Sequence, residues 1–301
     1  MIMGKRRYIE LHKSGELKKR IKKSLAMLES CKLCPRECKV NRLNDERGFC
    51  GAGRFALLAS YGPHMGEEIP LVGKNGSGTV FVGGCNLKCI FCQNYEISHV
   101  MYGEEVEAKQ LAQIILKLQA IKCHNINIVT PTHIVPQILE ALPFAIEQGL
   151  NLPLIYNSSA YDNKEVLELL DGIFDIYMPD FKFWDSTMAT QFAGTENYPL
   201  IAQNSIKEMH RQVGDLVLDE NGLAERGLIL RHLLLPDDME NTKEIVKFFS
   251  SISTHTYVNI MGQYKPYGNI EGFPSLAKKI TSSEFNNAVE FAKEKGLYRF
   301  L

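Results

Sequence analysis

The clearest pattern along the chain is short apolar runs alternating with stretches whose apolar residues recur every three to four positions. The runs at 79–83, 125–130, 153–157, 174–178, 227–235 and 256–261 predict strands. Between and after them, the spacing predicts helices at 108–121, 135–148, 164–170, 186–192, 200–212, 238–251 and 282–295. Strand and helix in alternation predict βαβ units and a parallel sheet. Six such units suit either an open, partial barrel or a doubly wound sheet, and the pattern alone does not choose between them.

The chain before this series reads differently. From Ser14 to Ser30, Leu17, Ile21, Leu25 and Leu28 share one helical face and lysines with Arg20 cover the other, with Ser14 as the expected N-cap. A short strand is expected at 55–60, and 61–78, with five glycines and two prolines, reads as loop. The expected organisation is a helix and cysteine-rich segment over 1–75, followed by an α/β domain over 76–301.

Composition narrows the functional classes. The 301 residues carry 34 basic and 35 acidic side chains, a net charge of -1, so no global field draws the protein to nucleic acid or a membrane. No apolar run reaches the ~20 residues that span a bilayer, and no signal-peptide core follows the basic first residues. A soluble, cytoplasmic protein is expected. In that reducing setting eight cysteines call for chemistry rather than disulfides, and seven of them crowd between Cys31 and Cys92.

Three of the seven form Cys85-x-x-x-Cys89-x-x-Cys92, directly after the first strand of the series. Three thiolates on one tight loop can hold three corners of a cubane, whereas ordinary iron–sulfur proteins supply four cysteines per cluster. The vacant corner is what a cluster that binds substrate needs, by analogy with open catalytic metal sites. Zinc, which favours paired C-x-x-C ligands, fits this triad poorly.

The triad, with Phe91 before its last cysteine, resembles the signature of the radical S-adenosylmethionine (SAM) superfamily. The resemblance implies a partial (β/α)6 barrel and a [4Fe–4S] cluster whose fourth iron is chelated by SAM. It also implies reductive cleavage of SAM to methionine and a 5′-deoxyadenosyl radical. Cys31-Lys-Leu-Cys34-Pro-Arg-Glu-Cys38, Gly48-Phe-Cys50-Gly51, Cys92-Gln-Asn-Tyr95 and Asp175-Ile-Tyr-Met-Pro-Asp-Phe-Lys182 are similar to pyruvate formate-lyase-activating enzymes and their relatives, over roughly 31–267. That likeness implies a glycyl radical enzyme as protein substrate, and flavodoxin or ferredoxin as electron donor. A radical SAM enzyme acting on a small molecule or RNA, or a non-catalytic iron–sulfur or zinc protein, is the alternative.

Asp180 and Lys182 match the Asp-x-Lys motif by which activating enzymes contact SAM; an isolated ion pair is the competing reading. The Gly-Gly-Glu that many superfamily members place after the second strand is replaced by Thr130-Pro-Thr-His133, so Thr130 and His133 become candidates for the SAM amino group. Asn157 and Ser158 are candidates for ribose or carboxylate contacts, with helix capping as the competing role. Arg231, inside an apolar strand, requires an anionic partner, either SAM or an internal acid. Gln263 follows the sixth strand, where activating enzymes face the adenosyl group. His64, Glu67 and Glu68 are expected in a solvated loop. Cys31, Cys34, Cys38 and Cys50 form a second four-thiol set suited to zinc or a second iron–sulfur cluster. Cys123 is expected as a packed thiol.

Overall fold

The computed structural model describes residues 6–301. Nine strands are present among them: β1 (Ala56–His64), β2 (Ser77–Val82), β3 (Glu104–Val106), β4 (Ile126–Val129), β5 (Leu154–Ser158), β6 (Ile176–Pro179), β7 (Val217–Leu218), β8 (Ala224–Leu233) and β9 (Tyr257–Met261). They form one mixed sheet in the order β3-β1-β2-β4-β5-β6-β8-β7, with β9 also paired to β8. The six expected strands are β2, β4, β5, β6, β8 and β9, and every pairing along that series is parallel. Spatial order follows chain order, so all six carboxyl ends point the same way.

The inner strands are buried throughout: all five residues of β5 and all four of β6 are buried. A parallel strand covered on both faces needs an unbroken apolar run, and Leu154-Ile155-Tyr156 and Ile176-Tyr177-Met178 provide one. The covering helices include Ala108–Ala120, Val135–Glu147, Tyr198–Val213, Met239–Ile252 and Ser282–Glu294. Two of them begin with reciprocal capping boxes, Glu107 with Gln110 and Thr281 with Glu284, which satisfy the free N–H groups of the first turn.

Several expectations are corrected before the parallel series. The early helix runs Glu16–Ala26 and starts after Gly15, whose φ of +77° breaks the chain direction. Ser14 ends a preceding helix, Arg7–Lys13, instead of capping this one. The strand expected at 55–60 continues to His64, and the stretch read as loop also holds the helix Ile69–Val72. Its glycines and prolines conceal the second half of β1, which pairs antiparallel with β2, while the short edge strand β3 pairs antiparallel with Ala56–Leu58. Position 75, the expected division of the chain, lies between that helix and β2, with β1 on one side hydrogen-bonded to β2 on the other. No helix among the described residues is long and apolar enough to cross a membrane.

Candidate functional site

β2 ends at Val82, and the chain turns through Gly83 and Gly84 into the cysteine triad. Both glycines are required by crowding. A Cβ on Gly83 would overlap the Leu57 side chain, and one on Gly84 would overlap the carbonyl of Cys50; Gly84 also has φ +85°. The loop is then pinned from several sides. Gly84 N–H donates to Ile97 O (2.9 Å), and the buried Asn86 amide donates to Tyr161 O (2.6 Å). Arg36, from between Cys34 and Cys38, donates to Asn86 O (3.0 Å) and Leu87 O (3.4 Å), and to Ala193 O and Gly194 O beyond the helix Ser186–Ala193. Phe91 anchors the far end, edge-on to Phe183, Phe192 and Tyr264.

The three sulfurs open onto one cavity of about 460 Å³ at the carboxyl ends of the strands. Two backbone N–H groups, of Leu87 and Lys88, point at Cys85 Sγ (3.3 and 3.4 Å), and the Ser98 hydroxyl donates to Cys92 Sγ (3.2 Å). Donors aimed at sulfur favour thiolate over thiol, while burial pushes the Cys85 and Cys89 thiols up. Such sulfurs suit a metal centre that itself supplies positive charge. Among the described residues no three His, Cys, Asp or Glu groups converge on a point fit for a single ion.

The same cavity is lined by Thr130, Asn157, Ser158, Asp180, Lys182, Arg231 and Gln263, together with His64 and Glu67. Seven of the eight candidate SAM residues therefore meet the triad across one space. His133 does not. It is buried behind the triad loop, with Nε2 on the Gly83 carbonyl (2.8 Å), and it faces the four-cysteine segment instead. Burial lowers it to about 4, so it is a neutral imidazole donating to a carbonyl. Pro131–Ile134 form a short 3-10 turn that folds the ring away from the strand ends.

Asp180 and Lys182 form a partly buried ion pair, Nζ to Oδ2 at 2.7 Å, rather than a surface one. Arg231 donates from Nε to Asp180 Oδ1 (2.7 Å) and from Nη2 to Asn157 Oδ1 (2.8 Å), and faces Glu68 (3.3 Å) and Glu67 (3.7 Å). Its anionic partners are thus internal acids. Burial opposes ionisation of Asp180, but Arg231 and Lys182 hold its carboxyl below the usual value. Glu67 is pushed up to about 7 by burial and by its acidic neighbours Glu68 and Asp180. The loop expected to be solvated therefore delivers a buried carboxylate, Glu68, and a half-buried one, Glu67, to the site. The signal was present in sequence as Glu67-Glu68, but only the antiparallel return of β1 places them over β8. Ser158 lines the cavity but donates its hydroxyl to Asp162 (2.9 Å), which also accepts from Thr132 and Tyr156.

One family model fits this arrangement. The family described as 4Fe-4S single cluster domain matches residues 72–201, which contain the whole triad and most of the cavity wall. The uncharacterized protein MJ0674 of Methanocaldococcus jannaschii is 32% identical over 293 residues, covering 94% of this chain and 79% of the relative. The chain belongs to the MJ0674 family. A solved structure, Streptococcus suis SuiB bound to precursor peptide SuiA, is similar at 14% identity and a TM-score of 0.46, over 72% of this chain; the chain spans 46% of that structure's length. In this member of the MJ0674 family, the triad loop, the partly buried ion-pair network and the Glu67 loop make up one continuous site.

Proposed function

We propose that this protein is a radical SAM enzyme of the partial-barrel type. Cys85, Cys89 and Cys92 would hold a [4Fe–4S] cluster through three of its irons. The single observation that carries the reading is the meeting of three thiols from one loop with the Asp180–Lys182–Arg231 network across one cavity. When bound, the cluster supplies the electron that cleaves SAM to methionine and a 5′-deoxyadenosyl radical.

The chain's own residues do the positioning. Lys182 is the cation with donors to spare for the SAM carboxylate, since only one of its three is spent on Asp180. Asp180 and Glu67 offer carboxylate oxygens to the SAM ammonium, in place of the missing Gly-Gly-Glu. Asn157 gives its carbonyl oxygen to Arg231 and keeps its amide N–H groups for a ribose hydroxyl. Thr130, at φ +57°, and Gln263, exposed at the cavity edge, flank the nucleoside end. Phe91 and its aromatic neighbours keep water from the rear of the triad loop.

The finer reading is activation of a glycyl radical enzyme, with flavodoxin or ferredoxin as electron donor in the cytoplasm. What supports it is the likeness of the Cys92–Tyr95 and Asp175–Lys182 segments to activating enzymes. Anaerobic reconstitution, reduction with dithionite and chromatographic assay for 5′-deoxyadenosine tests the general reading; no product from a cluster-loaded protein would overturn it. Electron paramagnetic resonance of a glycyl radical enzyme from the same organism, after incubation, tests the finer one. A silent partner beside active SAM cleavage would leave only the general reading standing.

A further inference from the structure

The four cysteines outside the triad are organised as closely as the triad itself. The chain from Cys31 to Val40 folds back on itself, with Cys31 N–H on Val40 O (2.9 Å) and Lys39 N–H on Cys31 O (3.0 Å). Glu37 and Lys39 both take positive φ, at 40° and 59°, to close that loop. Three thiols are thereby gathered within eight residues, and Cys50 comes from the turn after Gly48. A Cβ on Gly48 would lie 2.7 Å from Cys38 Cβ and 2.8 Å from its sulfur, so glycine there admits Cys38 to the group.

Cys31, Cys34 and Cys50 are buried and Cys38 half-buried, and all four are free thiols around one small enclosed void. The backbone N–H groups of Arg36, Phe49 and Ala52 point at the sulfurs of Cys34, Cys38 and Cys50. Arg42 lines the same void and is 1% exposed. It gives Nε to Gly53 O (3.0 Å) and Nη1 to His133 O (2.8 Å), yet its buried Nη2 has no partner, and no carboxylate among the described residues is in ion-pair contact with it. A buried guanidinium with an unsatisfied N–H is costly beside four neutral thiols. It is well placed beside an anionic centre.

We propose that Cys31, Cys34, Cys38 and Cys50 hold a second [4Fe–4S] cluster, ligated by protein at all four corners. Ligation releases the four thiol protons to solvent, and the resulting anionic centre takes the Nη2 donor of Arg42. A structural zinc site and a fully protein-ligated cluster both take four thiolates, and the choice between them rests on the cysteine spacing and on the unpartnered Arg42 donor beside the void. Three cysteines in one tight loop plus a distant fourth is an iron–sulfur spacing more than the paired C-x-x-C of zinc.

The test uses the Cys85→Ala/Cys89→Ala/Cys92→Ala variant of the full chain, reconstituted anaerobically with iron and sulfide. It is expected to keep about four irons and four sulfides per chain. Its Mössbauer spectrum should be that of a cubane, and on reduction its resonance should be unchanged by SAM. Wild-type protein is expected to hold twice that iron, and Cys34→Ala in the wild-type background to lose half. A triad variant that holds one zinc and no iron, or no metal, would overturn the proposal. Because that variant lacks the triad, its iron count reports on this site alone, whatever becomes of SAM cleavage.

Discussion

The carbonyl of Cys50 packs against the bare Cα of Gly84, the residue immediately before Cys85. The two cysteine groups therefore touch through backbone, with no side chain between them. Gly84 serves this contact twice over: its φ of +85° turns the chain toward the triad, and its missing Cβ leaves room for Cys50.

Gly84→Ala should therefore damage the loop more than its conformation alone explains. Gly149 provides the control, with φ +92° and nothing within 4 Å of an added Cβ. Gly149→Ala is expected to cost about 1–2 kcal/mol, the left-handed penalty for a side chain. Gly84→Ala adds a backbone overlap and is expected to cost about 2–4 kcal/mol, with a matching fall in bound iron. Urea unfolding and iron content of the two variants check this. Equal losses would mean that the Cys50 contact carries no strain.

Cys89→Ala separates chemistry from folding. Cys89 is buried as part of the main apolar core, and truncation to alanine removes one sulfur atom and leaves a small cavity costing about 1 kcal/mol. We expect native circular dichroism, a melting point lowered by a few degrees, and no 5′-deoxyadenosine. Normal turnover in this variant would remove Cys89 from the cluster.

The parallel series was legible in the sequence because its inner strands are short, mostly apolar runs bounded by polar residues, as at Leu154–Tyr156 and Ile176–Met178. The triad was legible because three close cysteines have few other uses. What escaped was set by partners distant in sequence. The second half of β1 looked like loop because Gly62 and Pro63 are poor strand residues, yet β3 pairs only with Ala56–Leu58, so that half has one free side that tolerates both. Glu67 and Glu68 looked solvated because their burial depends on Arg231 and Asn259, more than 160 residues away. His133 looked like a ligand because its position after β4 is correct, and only the 3-10 turn decides which way the ring points.

His232 gives a prediction for acid stability. It is fully buried, with Nδ1 on Phe181 O (2.8 Å) and Nε2 on Thr242 Oγ1 (3.0 Å), and burial lowers it to about 4. The unfolded chain binds this proton at its ordinary value of 6.5, the folded chain only near 4. Its contribution is complete above pH 6.5 and is lost as the pH falls toward 4, about 3 kcal/mol in all. His232→Asn keeps a donor for Phe181 O and cannot titrate. The difference in stability between wild type and variant, followed by urea unfolding from pH 7 to pH 4.5, should shrink as acid is added. A constant difference would mean that His232 binds its proton equally in both states.

Asp180 holds two cations, and its replacement tests the ion-pair network and SAM binding together. In Asp180→Asn, Lys182 loses its only ion-pair partner among the described residues, while Arg231 keeps Glu67 and Glu68. Breaking one partner from a fully buried pair costs about 3–5 kcal/mol; the partial exposure of this pair and the acids left on Arg231 place the loss below about 3 kcal/mol. Asp180 also helps to push Glu67 up, so its neutralisation should let Glu67 ionise more readily and partly restore the negative charge. Loss of a charged hydrogen bond to the SAM ammonium should weaken binding about ten- to a hundredfold. Equilibrium dialysis of SAM against the cluster-loaded variant measures that term, and urea unfolding of the same preparation measures the other. Weakened folding with unchanged SAM affinity would make Asp180 a structural clasp for Lys182 and Arg231, and would leave Glu67 as the carboxylate facing the ammonium.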